Sequence, residues 1–177
     1  MGFFARLFGS GDKKSTGTEA SRAGSDAADV IRGLREMVLS LSGTDLPLSR
    51  AQNQPLAVLM EFCSSGTAVS LVAVADGSVS LYFSHGGGVI GAGEHEPVRR
   101  VAASFLELAA ELSDRMGLAQ STPLPSEGTV RFYVVLQDGV RNAEVSEDVL
   151  KAKRHPLWSL YYHGHAVIGA IREHSPL

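Results

Sequence analysis

The sequence predicts an α+β fold, with a mostly antiparallel sheet of meander and hairpins that is packed by two main helices. Two segments carry apolar residues at helical spacing, and five shorter runs have the composition or alternation of strands. Short turn dipeptides separate neighbouring runs, and strands joined in this way must be antiparallel. The 177 residues are 44% hydrophobic and 20% charged, which is ordinary for a soluble globular protein.

The N-terminal segment, residues 1–24, is predicted to lie outside the folded domain. Residues 1–8 place four large apolar side chains within two helical turns, and residues 9–24 have the small, polar composition of a flexible linker. The apolar segment is far too short to cross a bilayer. It is expected either to contact a membrane or a partner protein, or to dock on its own domain. The contact residues would be Phe3, Phe4, Leu7 and Phe8.

Residues 25–177 are predicted to form a single α+β domain that begins with a helix over residues 25–42. Ser25 is the expected N-cap and Gly43 the expected C-cap. The second main helix is expected to begin at Pro97 and to end at Gly117. Both helices are expected to pack on the same face of the sheet. Their apolar faces comprise Val30, Ile31, Leu34, Met37, Val38 and Leu41 in the first, and Val98, Val101, Phe105, Leu108, Leu112 and Met116 in the second.

The strands are predicted in two groups. Residues 56–63, 67–75 and 78–84 should form a meander, in which Asp76-Gly77 makes a primed turn with both residues at positive φ. Residues 129–137 and 140–145 should form a hairpin. A short helix capped by Ser146 is expected to follow, with His155-Pro156 ending it.

The last segment, residues 157–173, fits two structures. Its apolar residues fit a helical stripe, but the sequence also fits two strands joined at His163-Gly164. "SLYYHGHAVIGAIREHSP" (159–176) repeats "SLYFSHGGGVIGAGEHEP" (80–97) with one gap in each copy. Because the first copy follows a hairpin turn, the repeat favours strands. The two copies are therefore expected to be equivalent strand–glycine–turn elements.

The glycine-rich loop of the first copy is the candidate ligand loop. "GGGVIG" matches the dinucleotide-binding pattern, but it follows an antiparallel strand, and Glu94 and Glu96 stand where a phosphate would bind. "HGGG" resembles an oxyanion-hole loop, but the chain has no G-x-S-x-G nucleophile. A structural role is favoured, in which Gly87 or Gly88 has positive φ or lies against another backbone. The candidate ligand residues are His85, Gly86, Gly87, Gly88 and Gly91.

No catalytic residues, cofactor or metal site are predicted. The histidines have no accompanying Cys/His set at zinc-ligand spacing, although His163 and His165 would share one face of a strand. Cys63 is expected to be a buried hydrophobic side chain. With a net charge of −3, nucleic acid is not an expected partner. The single cysteine and the lack of a signal peptide favour the cytoplasm, with peripheral membrane contact through residues 1–8. Three further histidines, His85, His95 and His174, likewise lack the spacing of a zinc site.

The leading functional hypothesis is a non-catalytic cytosolic interaction protein that acts as an adaptor or assembles with itself. The first alternative is an inhibitor of one partner, such as a bacterial toxin immunity protein or a secretion chaperone. The second is a nucleotide-binding protein that uses residues 86–93. The element order α-β-β-β-α-β-β-α is similar to that of small bacterial secretion chaperones. The strand–helix–strand core is similar to that of roadblock and profilin-like adaptors, but no sequence motif accompanies either likeness.

Overall fold

A computed structural model describes residues 20–46, 51 and 53–175. It confirms the α+β class, since these residues form one seven-stranded antiparallel sheet and four α-helices. The strand order across the sheet is β4-β3-β2-β1-β6-β7-β5. The helices are α1 Ala20–Leu39, α2 Glu96–Leu112, α3 Glu147–Lys151 and α4 Trp158–His174; the strands are β1 Ala57–Ser64, β2 Thr67–Val74, β3 Val79–Phe83, β4 Gly88–Ile90, β5 Gly117–Leu118, β6 Thr129–Leu136 and β7 Gly139–Ser146.

The two turns of the meander differ in type. Between β1 and β2, both Ser65 (φ 53°) and Gly66 (φ 79°) have positive φ, as a primed two-residue turn requires. Between β2 and β3, only Gly77 has positive φ (90°), so the prediction for Asp76 was wrong. The Asp76 carboxylate accepts a hydrogen bond from the Ser78 N–H at 2.9 Å. The connection is therefore a three-residue loop, residues 75–77, whose last residue is a glycine with positive φ.

The two main helices lie on opposite faces of the sheet, so the expectation that they share a face was wrong. On one face, α2 and α4 cover a large core that includes Met60, Phe105 and Phe132. On the other face, α1 covers a second core that includes Leu59 and Tyr133. Strands β1 and β2 can face two cores because they are almost continuously apolar, whereas a strand with one solvated face alternates.

The first helix begins earlier than its sequence signals indicate. Helix α1 already includes Ala20, so Ser25 lies inside the helix and is not its N-cap. The predicted linker therefore overlaps the first turns of α1. Residues 1–19, which include the other part of that linker, lie outside the described residues.

The second helix confirms the predicted start, because Pro97 lies in the first turn of α2. The helix ends at Leu112, and a short 3-10 turn over Ser113–Arg115 precedes Gly117. Its buried face is shifted from the predicted one, and Val101 and Leu108 are only partly buried. The buried residues are Val98, Ala102, Phe105, Leu106 and Ala109.

The C-terminal segment is a helix, so the preference for two strands was wrong. Six buried residues of α4 follow the helical stripe that the sequence also contains. Gly164 lets this helix approach the sheet, since a Cβ there would lie 2.5 Å from the sulfur of Met60. The two copies of the repeated sequence therefore do not form equivalent elements. The buried α4 residues are Leu160, Tyr161, Gly164, Val167, Ile168 and Ile171.

The short helix α3 is confirmed, with Ser146 at its N-cap position. The helix begins where the serine predicts, but the Ser146 hydroxyl does not make the expected capping hydrogen bond. None of the helices in the described part of the chain has the length and hydropathy needed to cross a membrane.

Candidate functional site

The glycine-rich loop forms a tight hairpin between β3 and β4. Gly86, Gly87 and Gly88 all have positive φ, of 103°, 83° and 139°. A Cβ on Gly88 would lie 2.1 Å from the carbonyl oxygen of Leu81. The prediction that this run needs glycine for its backbone is therefore confirmed, because a side chain at residue 88 would clash with the neighbouring strand.

Backbone hydrogen bonds close the hairpin at this loop. The Gly86 N–H donates to the Phe83 carbonyl at 2.9 Å, and Tyr82 and Gly88 are paired in the β3–β4 ladder. At the start of the following helix, Arg99 donates to the carbonyl of Gly93. These contacts fold the loop back on the sheet.

The histidines do not come together as ligands. No group of three or more His, Cys, Asp or Glu in the described residues could hold a metal ion. His163 is exposed and its Nδ1 lies 2.9 Å from the Ser159 carbonyl oxygen. His165 lies on another side of α4, between Phe62 and Tyr161, and its Nε2 is buried without a hydrogen-bond partner.

Cys63 is a partly buried side chain at the end of β1. Its thiol lies 3.6 Å from the Pro125 carbonyl oxygen, and burial raises the pKa of the thiol. A raised pKa reduces the thiolate that nucleophilic chemistry needs. Cys63 is less buried than the sequence predicts.

A buried ion pair that the sequence analysis missed attaches α1 to the sheet. Arg35 and Glu61 are 9% and 0% exposed, and both nitrogen–oxygen distances of their bidentate contact are 2.7 Å. The Ser70 hydroxyl donates to the same carboxylate at 2.6 Å. Arg35 also donates to the carbonyl of Thr122 at 2.9 Å. Glu61 was the one charged residue in an apolar strand, which was the available signal for this pair.

A wide groove runs along one side of α2. Its volume is about 770 Å³, and its floor is formed by small and apolar side chains such as Ala102 and Leu106. Glu107, Glu111 and Arg99 line its edge. The candidate loop residues 85–88 and 91 do not line this groove. Of these five, only His85 lines a smaller cavity of about 270 Å³ beside Phe83.

Exposed aromatic rings form a corner where α3 meets α4. Trp158 and Tyr162 are 36% and 42% exposed, and their ring centroids are 6.0 Å apart in an edge-on arrangement. The Lys153 ammonium lies 5.0 Å from the Trp158 centroid and 5.7 Å from the Tyr162 centroid. The Tyr162 hydroxyl donates to the Lys151 carbonyl at 3.3 Å. Cation–π contacts and this hydrogen bond hold the exposed rings in place.

The exposed side of α4 continues from this corner along the helix. Between Arg154 and Arg172 the chain contains no Asp, Glu, Lys or Arg. By contrast, the exposed side of α2 carries Arg99, Arg100 and Glu107. We call the exposed stripe on α4 the α4 outer face; it consists of Trp158, Tyr162, Ala166, Gly169 and Glu173.

The sequence analysis did not identify the α4 outer face, because it assigned this segment to strands. The available signal was the long uncharged run, combined with the helical spacing of its apolar residues. The predicted contact residues Phe3, Phe4, Leu7 and Phe8 lie outside the described residues. No protein family, curated protein or solved structure matches this chain.

Proposed function

We propose that this protein is a non-catalytic interaction protein that binds a protein partner through the α4 outer face. The observation that carries the proposal is the exposed pair Trp158 and Tyr162, held by Lys153. Tryptophan and tyrosine are enriched among the residues that dominate binding energy at protein interfaces. Rings that are already fixed before binding lose less conformational entropy when a partner covers them.

The polar groups elsewhere support this role rather than a catalytic one. The buried Arg35–Glu61 pair is saturated by contacts that fix α1 and the chain around residue 122. The residues of the glycine-rich loop are engaged in a closed hairpin. This geometry gives the nucleotide-binding alternative no support.

The proposal includes attachment by residues 1–8 and a cytoplasmic location, with peripheral contact at the inner face of a membrane. The support is the sequence alone, because four large apolar side chains precede a polar stretch. Changing all four to serine should weaken sedimentation of the full chain with lipid vesicles. Unchanged sedimentation would remove the membrane part of the proposal.

The test of the main proposal is a comparison of captured partners. The full chain carrying Trp158→Ala and Tyr162→Ala should lose proteins that the wild type retains from lysate of its native cell. Leu118→Ala is the matched control, because Leu118 is 53% exposed but lies on β5 at the sheet edge. Quantitative mass spectrometry should show the same set for wild type and control. If the double variant also keeps that set, the α4 outer face is not the contact surface.

A further inference from the structure

We infer that the partner of the α4 outer face is the α4 outer face of a second copy of this chain, so that the protein forms a two-fold symmetric dimer. This inference rests on the proposed function and names its partner. In the proposed dimer the two-fold axis is perpendicular to α4, so the two helices lie antiparallel and each surface must be complementary to itself. The size and charge of the exposed residues along α4 both meet this requirement.

Within the uncharged part of the α4 outer face, the side chains become smaller along the helix. The N-terminal half presents the large rings of Trp158 and Tyr162, and the C-terminal half presents Ala166 and Gly169. When two copies pair antiparallel about residue 164, Tyr162 lies opposite Ala166, and Trp158 lies opposite residue 170, beside Gly169. Large residues facing small ones allow helices to pack closely without voids. Nothing lies within 4 Å of a Cβ built on Gly169, so the space above it is open.

The charges are arranged in the same self-complementary way. The centre of the face contains no charged residue, so its burial desolvates no ion. Lys153 lies at one end, beside Trp158, and Glu173 lies in the last turn of α4 at the other end. Antiparallel pairing brings each Lys153 next to Glu173 of the other copy. Arg172 lies on the flank of the helix, where it lines the cavity beside Phe83.

Other exposed surfaces fit this partner less well. The exposed side of α2 carries charges of both signs, including Arg100, which pairs with Glu96 within the helix. Lys151 also pairs within its own helix, at 2.9 Å from Glu147. Lys153 instead lies over the two rings, where a carboxylate from a second copy can reach it.

The first experiment measures the mass of the full chain by sedimentation velocity over a concentration series. The wild type should change from monomer to dimer, and Gly169→Arg should remain monomeric. The arginine projects into open space, so the fold should be kept, as circular dichroism will check. Gly33→Arg is the matched control, because Gly33 is also an exposed helical glycine with nothing within 4 Å of its Cβ. It should dimerise like the wild type.

The second experiment exchanges the two end charges. Lys153→Glu alone and Glu173→Lys alone should each raise the dimer dissociation constant about tenfold, because like charges then face each other. The combined variant should return to within about threefold of wild type, since the new lysine can pair with the new glutamate and lie over Trp158. A merely structural role of either residue would not produce this rescue.

Three outcomes would overturn the inference. The first is a wild type that stays monomeric at every concentration. The second is a dimer that persists in Gly169→Arg or is lost equally in Gly33→Arg. The third is a combined charge variant that is no better than the single ones. In each of these cases the proposed function would still hold if the wild type captures a partner other than this chain and the variant with both Trp158→Ala and Tyr162→Ala does not.

Discussion

The two copies of the repeated sequence have nearly the same letters and different structures. Residues 80–97 form a strand, a glycine hairpin and the start of α2, whereas residues 159–174 of the second copy lie within α4. In the alignment, Gly88 corresponds to Ala166 and Gly93 to Ile171. Gly93 lies against the Gly77 backbone, where a Cβ would be 1.9 Å from the carbonyl oxygen, while Ile171 is fully buried in the core.

Two kinds of position decide which structure each copy adopts. In the first copy, three successive glycines allow the positive φ values that the hairpin requires. In the second copy, His165 and Ala166 replace two of them, and apolar side chains recur at helical spacing. The shared letters between these positions are compatible with either structure. The first copy therefore builds the sheet, and the second leaves one face of a helix exposed.

Removing the Phe105 ring, which lies between α2 and α4, should destabilise the protein most. Phe105 on α2 is fully buried, and a Cβ on Gly164 of α4 would lie 3.4 Å from its ring. Phe105→Ala should lower the free energy of unfolding by about 3–5 kcal/mol, as large-to-small core substitutions do. Reversible urea unfolding at low protein concentration measures it. A loss below about 1 kcal/mol would contradict a central position for this ring.

The next effect tests why the first copy needs its glycines. Gly88→Ala should cost about 2–4 kcal/mol, since it adds a clash with the Leu81 carbonyl to the strain of positive φ. Gly87→Ala is the matched control, because Gly87 has positive φ with no atom near its Cβ. It should cost only about 1 kcal/mol. Equal losses in urea unfolding would show that the close approach to β3 is not what requires glycine at residue 88.

Alanine substitutions at the aligned glycines Gly91 and Gly169 should change stability by smaller amounts and in opposite directions. Neither has an atom within 4 Å of a Cβ, but Gly91 has φ 80° and Gly169 is helical. Gly91→Ala should destabilise the protein by about 1 kcal/mol, and Gly169→Ala should stabilise it by about 0.5–1 kcal/mol. Thermal unfolding of both variants in dilute solution checks the signs. Two changes of the same sign would contradict the different backbone conformations.

The last effect concerns His165, which replaces Gly87 in the second copy. Burial lowers its pKa below the ordinary value of 6.5, although the Glu147 carboxylate opposes this and Lys151 and Arg172 add to it. Below pH 6.5 the unfolded chain binds a proton that the folded chain resists, so stability should fall as the pH decreases from 7 to 5. His165→Gln should reduce this slope. Equal slopes for wild type and His165→Gln would exclude His165 as the cause.

Much of the fold could be predicted from the sequence, because the deciding signals are local. The meander, the β6–β7 hairpin and the start of α2 at Pro97 follow from short apolar runs, turn residues and one helix signal. The position of α1 could not be predicted in this way, because it depends on a sheet that is apolar on both faces. The Arg35–Glu61 pair is formed by residues 26 positions apart, and a single sequence does not reveal such a contact.

The candidate site was missed for a different reason. The sequence analysis gave the repeat more weight than the helical spacing of residues 157–173. Two strands joined at residues 163–164 would have placed Trp158 and Tyr162 on one strand and Ala166 and Gly169 on the other. Only the helix places these four residues on one exposed stripe. The sequence therefore contained the signal for this face, but the signal is recognised only when residues 157–173 are read with helical rather than strand periodicity.

The most direct test uses Trp158 as a reporter, since it is the only tryptophan in the chain and lies on the α4 outer face. Acrylamide quenching of its fluorescence should decrease, and its emission should shift to the blue, as the concentration of the wild-type chain rises. Gly169→Arg should keep Trp158 accessible over the same range, while Gly33→Arg should follow the wild type. Quenching that stays constant with concentration in all three proteins would contradict the claim that this face is covered by a second copy.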